Sequence, residues 1–206
     1  MPRLELDLRY MMLVFTAVSA MAYQIRESPD PSRQSPVDFF MEDITLTVSD
    51  SAAAISSIYY FRNNQDYTGL FPVAFPFYVD SFSLYPDTIA AYTIYDTDTL
   101  PISIRRDPAR NMAILKIPLK AHRVTCWHLD YQQQIRTTRA VYIITSTASW
   151  GKPLEDATYR FIVPFNYNNI VTWPEPDTII RQDDYFEYIS HKTDFMPHRD
   201  MEIKWK

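Results

Sequence analysis

Glycine is nearly absent: the 206 residues contain two, Gly69 and Gly151. Loops that cradle phosphates, and dinucleotide fingerprints, need several residues without a Cβ, so this scarcity argues against both. One cysteine, Cys126, leaves no intramolecular disulfide framework and no zinc site built on several thiolates. In VTCWHL it alternates with polar and aromatic neighbours and reads as a buried, inert thiol. An excess of basic charge is also lacking. Twenty basic residues face 25 acidic ones, a net charge of −5, which argues against a nucleic-acid partner. Helical periodicity is missing beyond the N-terminal segment, and fifteen prolines discourage helices further.

The longest apolar run is YMMLVFTAVSAMA, Tyr10 to Ala22. As a helix, thirteen residues at ~1.5 Å each reach about 20 Å, short of a hydrocarbon core of roughly 30 Å. Ala20-Met21-Ala22 supplies the small-x-small pattern of a signal-peptidase site, so residues 1–22 read as a secretory signal. Arg3 and Arg9 are offset by Glu5 and Asp7 in its flank, which keeps a buried N-terminal element as the alternative. No second run of eighteen apolar residues follows, so no membrane span is expected once the signal is removed. The expected location is extracytoplasmic, periplasmic or secreted. Residues 23–42 read as a linker or extended arm, since RESPDPSRQSPVD carries three prolines, three serines and five charges without apolar periodicity.

From Ile44 onward, apolar residues recur at every second position, carried by Tyr, Ile, Val, Phe and Thr. ITLTVS, ISSIYYF, AILKI, VTCWHLDY, AVYIITS, ATYRFIV and YFEYIS all read as strands. YTIY and LPISI form a hairpin across a four-residue loop, Asp96 to Thr99, and VTCWHLDY pairs with AVYIITS across QQQIRTT. Pro72 and Pro76 lack N–H donors and confine FPVAFPFYV (71–79) to a sheet edge or bulge. The expected fold is all-β: an antiparallel β-sandwich, in two packed halves of residues 43–120 and 121–206 or as one larger sandwich.

Chemistry-bearing residues are few. Trp150, before Gly151-Lys152-Pro153, is a possible ligand platform or a core residue at a turn. Asp96 and Asp98 on a hairpin tip would start a calcium site only with further oxygens. Asp183 and Asp184, with Glu187, are the paired carboxylates that a glycan hydrolase would use, or else a solvated acidic face. His122 and His128 are six residues apart and stand too far apart on one strand to share a metal. His191 and His198 flank a turn. Serines and threonines near Ser146–Ser149 lack the Gly-x-Ser-x-Gly elbow. No catalytic residue, metal set or cofactor is expected from these patterns.

Three patches carry a family likeness: ISSIYYFRNN with FPVAFPF downstream, AVYIITSTASWGKPLEDATYRFIVP (140–164), and DFMPHRDMEIKW (194–205). In the second, a strand ends at Trp150 and returns after a Gly–Pro turn. These patches resemble bacterial exported β-sandwich proteins of uncharacterised function. The resemblance implies an exported β-sandwich and carries over no catalytic residue. The expected function is non-catalytic binding or assembly at the cell envelope or surface, with a protein partner or a second copy of the chain. Phe39, Phe40 and Met41 at the end of the arm, and Phe75 and Phe77 in the proline-interrupted segment, are the expected partner contacts. An exported glycan hydrolase is the alternative.

Overall fold

A computed structural model of the chain describes residues 36–95 and 98–206. The signal-like segment 1–22, most of the arm and the Asp96–Thr97 turn lie outside the described residues. The strands are β1 Val37–Val48, β2 Ala52–Asn63, β3 Gly69–Pro76, β4 Thr88–Tyr95, β5 Asp98–Pro101, β6 Ser103–Asp107 and β7 Met112–Leu119. They continue as β8 Val124–Gln134, β9 Arg139–Tyr142, β10 Leu154–Pro164, β11 Val171–Trp173, β12 Thr178–Arg181, β13 Tyr185–Phe195 and β14 Met201–Lys204. Two short 3₁₀ turns, Pro108–Arg110 and Thr145–Trp150, are the helical elements among the described residues. The all-β class holds.

The strands fall into three sheets. The largest has eight strands in the order β12-β13-β10-β1-β2-β8-β4-β5. The two others have three strands each, β11-β14-β9 and β3-β7-β6. The large sheet interleaves strands from both sides of residue 120, so 43–120 and 121–206 are not separate halves; residues 36–206 form one compact unit. Nor is the sheet purely antiparallel, because β1 pairs with β10 in parallel. β8 lies between β2 and β4, whereas β9 pairs with β14, so the hairpin expected between β8 and β9 does not form. β4 and β5 do pair, with Tyr95 opposite Asp98, which leaves a two-residue connection instead of four. The strand expected to run to Trp150 stops at Tyr142 and gives way to the 3₁₀ turn. β3 lies at an edge of its sheet, where the missing N–H groups of Pro72 and Pro76 cost least.

Alternation explains the core. Ile44, Leu46 and Val48 of β1, Ile55, Tyr59 and Phe61 of β2, and Trp127, Leu129 and Tyr131 of β8 are buried, while intervening Thr, Ser and His side chains are more exposed. Ala113, Leu115, Ile117 and Leu119 of β7 belong to the same cluster, and the Phe75 ring of β3 meets Tyr59, Tyr131 and Tyr142. Residues of all three sheets therefore share one core. Each fully buried Leu, Ile or Phe contributes about 1.5–3 kcal/mol by leaving water.

The arm ends earlier than its composition implies. Residues 37–42 are the first half of β1, inside the large sheet. The partner contacts expected there are corrected by burial: Phe39 (5% exposed) packs against Tyr59, Phe61 and Trp150, and Phe40 (9%) lies under the Arg62 guanidinium. Met41 is half-buried within the strand, and Phe75 and Phe77 pack against each other and Tyr131. Phe39, Phe40, Phe75 and Phe77 are thus buried within the chain, and Met41 alone of the five keeps a partly accessible side chain.

Candidate functional site: a buried glutamate in an aromatic cavity

The site begins with a change of register in β1. Phe39 lies opposite Phe61, but Met41 lies opposite Tyr60, so Phe40 is the extra residue of a β-bulge. A bulge moves following side chains to the other face. Here it places Phe39 and Glu42, three residues apart, both inward. After the bulge Glu42 keeps step with Ile44, Leu46 and Val48, and it is 3% exposed.

Pairing then builds a row across the sheet. Glu42 is opposite Ala157 of β10 on one side and Tyr59 of β2 on the other; Tyr59 is opposite Trp127 of β8, and Trp127 opposite Thr93 of β4. Tyr59 stacks on Trp127 with ring centroids 4.4 Å apart. The small Ala157 leaves room for Tyr159, whose hydroxyl donates to Glu42 Oε1 at 2.7 Å. Tyr142, the last residue of β9, makes a short hydroxyl–hydroxyl hydrogen bond with Tyr59.

Above this row is a cavity of about 290 Å³. Its floor is Phe39, Glu42, Tyr59, Phe61 and Trp127; its walls are residues 71–76 of β3 and the stretch from Tyr142 to Trp150. Pro72, Ala74, Ser146 and Ser149 are exposed, and Phe71, Val73 and Trp150 half-exposed, so these residues mark where the cavity meets solvent. Gly151, with φ of 77°, takes the left-handed conformation that ends the 3₁₀ turn just after Trp150.

Two features of the cavity are electrostatically incomplete. Among the described residues no cation lies within ion-pair distance of Glu42. Burial pushes its carboxyl up to about 7 from an ordinary value of 4.5, a rise that the Tyr159 hydrogen bond only partly offsets. Burial, followed by the charge of Glu42, pushes the Tyr59 phenol up; burial and neighbouring phenols do the same for Tyr142. The second feature is Trp127: its indole is 1% exposed and its Nε1–H has no hydrogen-bond partner among the described residues. An unmet buried donor of this kind costs about 1–3 kcal/mol.

Of the residues singled out in the sequence, Trp150, Phe39, Phe75, Ser146 and Ser149 reach this cavity. Phe77 stays in the core beside it, and Phe40 and Met41 do not line it. Glu42 and Trp127 were not among them. Their signal was parity: Glu42 shares the even positions of Ile44, Leu46 and Val48, an acid where the pattern calls for an apolar group.

The other candidates lie apart. Asp183 and Asp184 are exposed in the turn between β12 and β13, and Glu187 of β13 is 3.7 Å from Arg160 Nε. Asp98 is exposed on β5, and its companion Asp96 lies outside the described residues. His122 bonds Asp66 at 2.8 Å, His128 bonds Ser56 at 2.8 Å, and His191 bonds Asp156 at 2.7 Å, while His198 meets the Trp173 ring edge-on. Cys126 is half-buried beside Tyr60, and burial pushes its thiol up, away from the reactive thiolate.

No protein-family model matches the chain, and no curated protein matches it. Solved structures do. The M1 zinc metallopeptidase from Deinococcus radiodurans superposes with a TM-score of 0.51 at 10% identity, over 83% of this chain and 42% of that one. A mutant of that peptidase, bound to a Tyr-Ser-Ala substrate, gives 0.52 at 11% identity, over 83% and 43%. At such identity the likeness is one of fold, and the chain spans less than half the length of those proteins. Zinc needs three or four convergent ligands. Among the described residues no three of His, Cys, Asp or Glu are grouped to hold a metal, so these residues do not fit that ion.

Proposed function

We propose that this chain is a non-catalytic, exported β-sandwich protein that binds or helps assemble a protein partner, or a second copy of itself, at the cell envelope or cell surface. The observation that carries the reading is the free edge of the large sheet. Among the described residues β12 pairs only with β13, all four of its residues are exposed, and Ile179 and Ile180 are 56% and 38% accessible. An edge strand with exposed β-branched side chains is a template for an added strand. The aromatic surface beside it, Phe186 against Phe165 and Tyr188, extends the apolar face onto β13. Asp183 and Asp184 sit in an exposed turn and Glu187 beside Arg160, and none of the three lines the aromatic cavity, so the hydrolase alternative gains no support, because glycoside hydrolysis needs two carboxyl groups facing across a cleft. Among the described residues no helix is long and apolar enough to cross a membrane.

The test pairs two measurements in the native cell. Mass spectrometry of the N-terminus should find a chain beginning at Tyr23, and an intact Met1 would end the export reading. Cross-linking in the envelope should join β12 to a partner or to another copy. The Ile179→Lys, Ile180→Lys double variant should abolish that product, and an unchanged product would overturn the assignment of the edge.

A further inference from the structure

We propose that the cavity over β1, β2 and β8 binds a small quaternary ammonium compound, its cationic head held between Glu42 and the surrounding aromatic rings and a hydrogen-bond acceptor on its tail meeting the Trp127 indole N–H. The cavity is separated from β12 and β13 by β10, and its ligand needs no protein partner.

Five observations lead here. The floor holds a carboxylate with no cation beside it among the described residues, which favours a positively charged guest. Tyr59, Phe61, Trp127, Phe39, Phe75 and Trp150 surround it with π faces and edges, the surroundings in which a desolvated cation is attracted by ring quadrupoles. A primary ammonium leaves water at a higher cost, because its three N–H donors each need an acceptor and the lining is mainly aromatic and aliphatic, with Ser146 and Ser149 out at the exposed rim. A quaternary head needs charge and apolar contact but no acceptors. Among the described residues that line the cavity, Trp127 carries the buried donor without a partner, an N–H suited to a hydroxyl or ester oxygen a few bonds from the head. The volume, about 290 Å³, admits a guest the size of choline and excludes larger frameworks.

The titratable groups packed around Glu42 are Tyr59 of β2, Tyr142 of β9 and Tyr159 of β10, with Tyr131 of β8 behind them. All four phenols are pushed upward by burial and stay protonated at neutral pH. A proton released on binding near pH 7 therefore comes from Glu42.

The experiment is calorimetric titration of the full chain with choline and with its uncharged isostere, in which a tert-butyl group replaces the trimethylammonium head. Choline should bind at least about tenfold more tightly than the isostere, the charge being the only difference. Repeating the titration at pH 7 in buffers of different ionisation enthalpy should show proton release. Glu42→Gln, which keeps the acceptor for Tyr159, should abolish both the preference and the release. Absence of choline binding, equal binding of the isostere, or binding without proton release would each overturn the proposal. All three are read on the wild-type protein, so a variant that fails to fold does not blunt the test.

Discussion

Two glutamates buried in this molecule have opposite electrostatic surroundings. Glu42, 3% exposed in the large sheet, has a tyrosine for a partner; Glu202, 7% exposed on β14, is bonded by Arg139 and Arg199, with Lys204 Nζ at 3.3 Å. Burial pushes both carboxyls upward. At Glu202 the hydrogen bonds from the three cations outweigh it and hold the group below its ordinary range, whereas at Glu42 burial prevails. A buried charge is tolerated when paired and costly when not. Glu202 is thus explained by the fold, stitching β9 to β14. Glu42 weakens the fold above neutral pH, and its placement makes sense as part of a site waiting for a cation.

The contrast predicts opposite pH dependence. A carboxyl whose pKa is higher in the folded state binds its proton more tightly there, so the protein loses stability as pH rises from about 4.5 through about 7. Glu202, lowered on folding, contributes stability above the ordinary carboxylate range that is lost as pH falls through its folded value. The largest expected effect is Glu42→Gln at pH 8. It should raise stability by up to roughly 3 kcal/mol, or roughly 6–12 °C in Tm for a unit of this size, and flatten the pH profile between pH 5 and 8. Thermal melts across that range check it; an unstable variant at pH 8 would break the contrast. Next, Glu202→Gln should lower stability at pH 7 by roughly 2 kcal/mol, since the three cations lose their shared anion, with part of the cost screened by solvent. Denaturant melts should show a lower midpoint with unchanged slope. The smallest effect is Tyr159→Phe. Losing one buried hydrogen bond should cost about 1 kcal/mol and move the Glu42 titration further upward. A downward move would mean that another donor holds the carboxylate.

How much of this could be read from the chain alone depends on the kind of signal. Ile44-Thr45-Leu46-Thr47-Val48 and Val124 to Tyr131 announce their strands, because side-chain direction alternates with position whatever the neighbours are. Pro72 and Pro76 announce an edge, because a missing N–H is a local fact. Pairing partners are not local. That β1 lies beside β10 in parallel, or that β8 separates β2 from β4, depends on contacts between residues far apart in the chain, more than a hundred positions in the first case. The bulge at Phe40 leaves no residue signature, since Phe-Phe-Met-Glu supports either register, and so the composition of the arm does not show that β1 already starts at Val37. Trp150 was visible as an aromatic at a Gly–Pro turn, but its companions Tyr59, Trp127 and Glu42 come from three other strands. The acid at Glu42 is legible by parity, two residues back along the alternation of Ile44, Leu46 and Val48.

The central claim is that the fold buries one carboxylate without a cation and lines the space around it with aromatic rings. Carbon-13 NMR titration of the Glu42 side-chain carboxyl in the free protein measures it directly, with the Glu42→Gln spectrum supplying the assignment. The account predicts a midpoint of about 7 that moves down when choline is added. A midpoint near the ordinary 4.5, unmoved by choline, would contradict it.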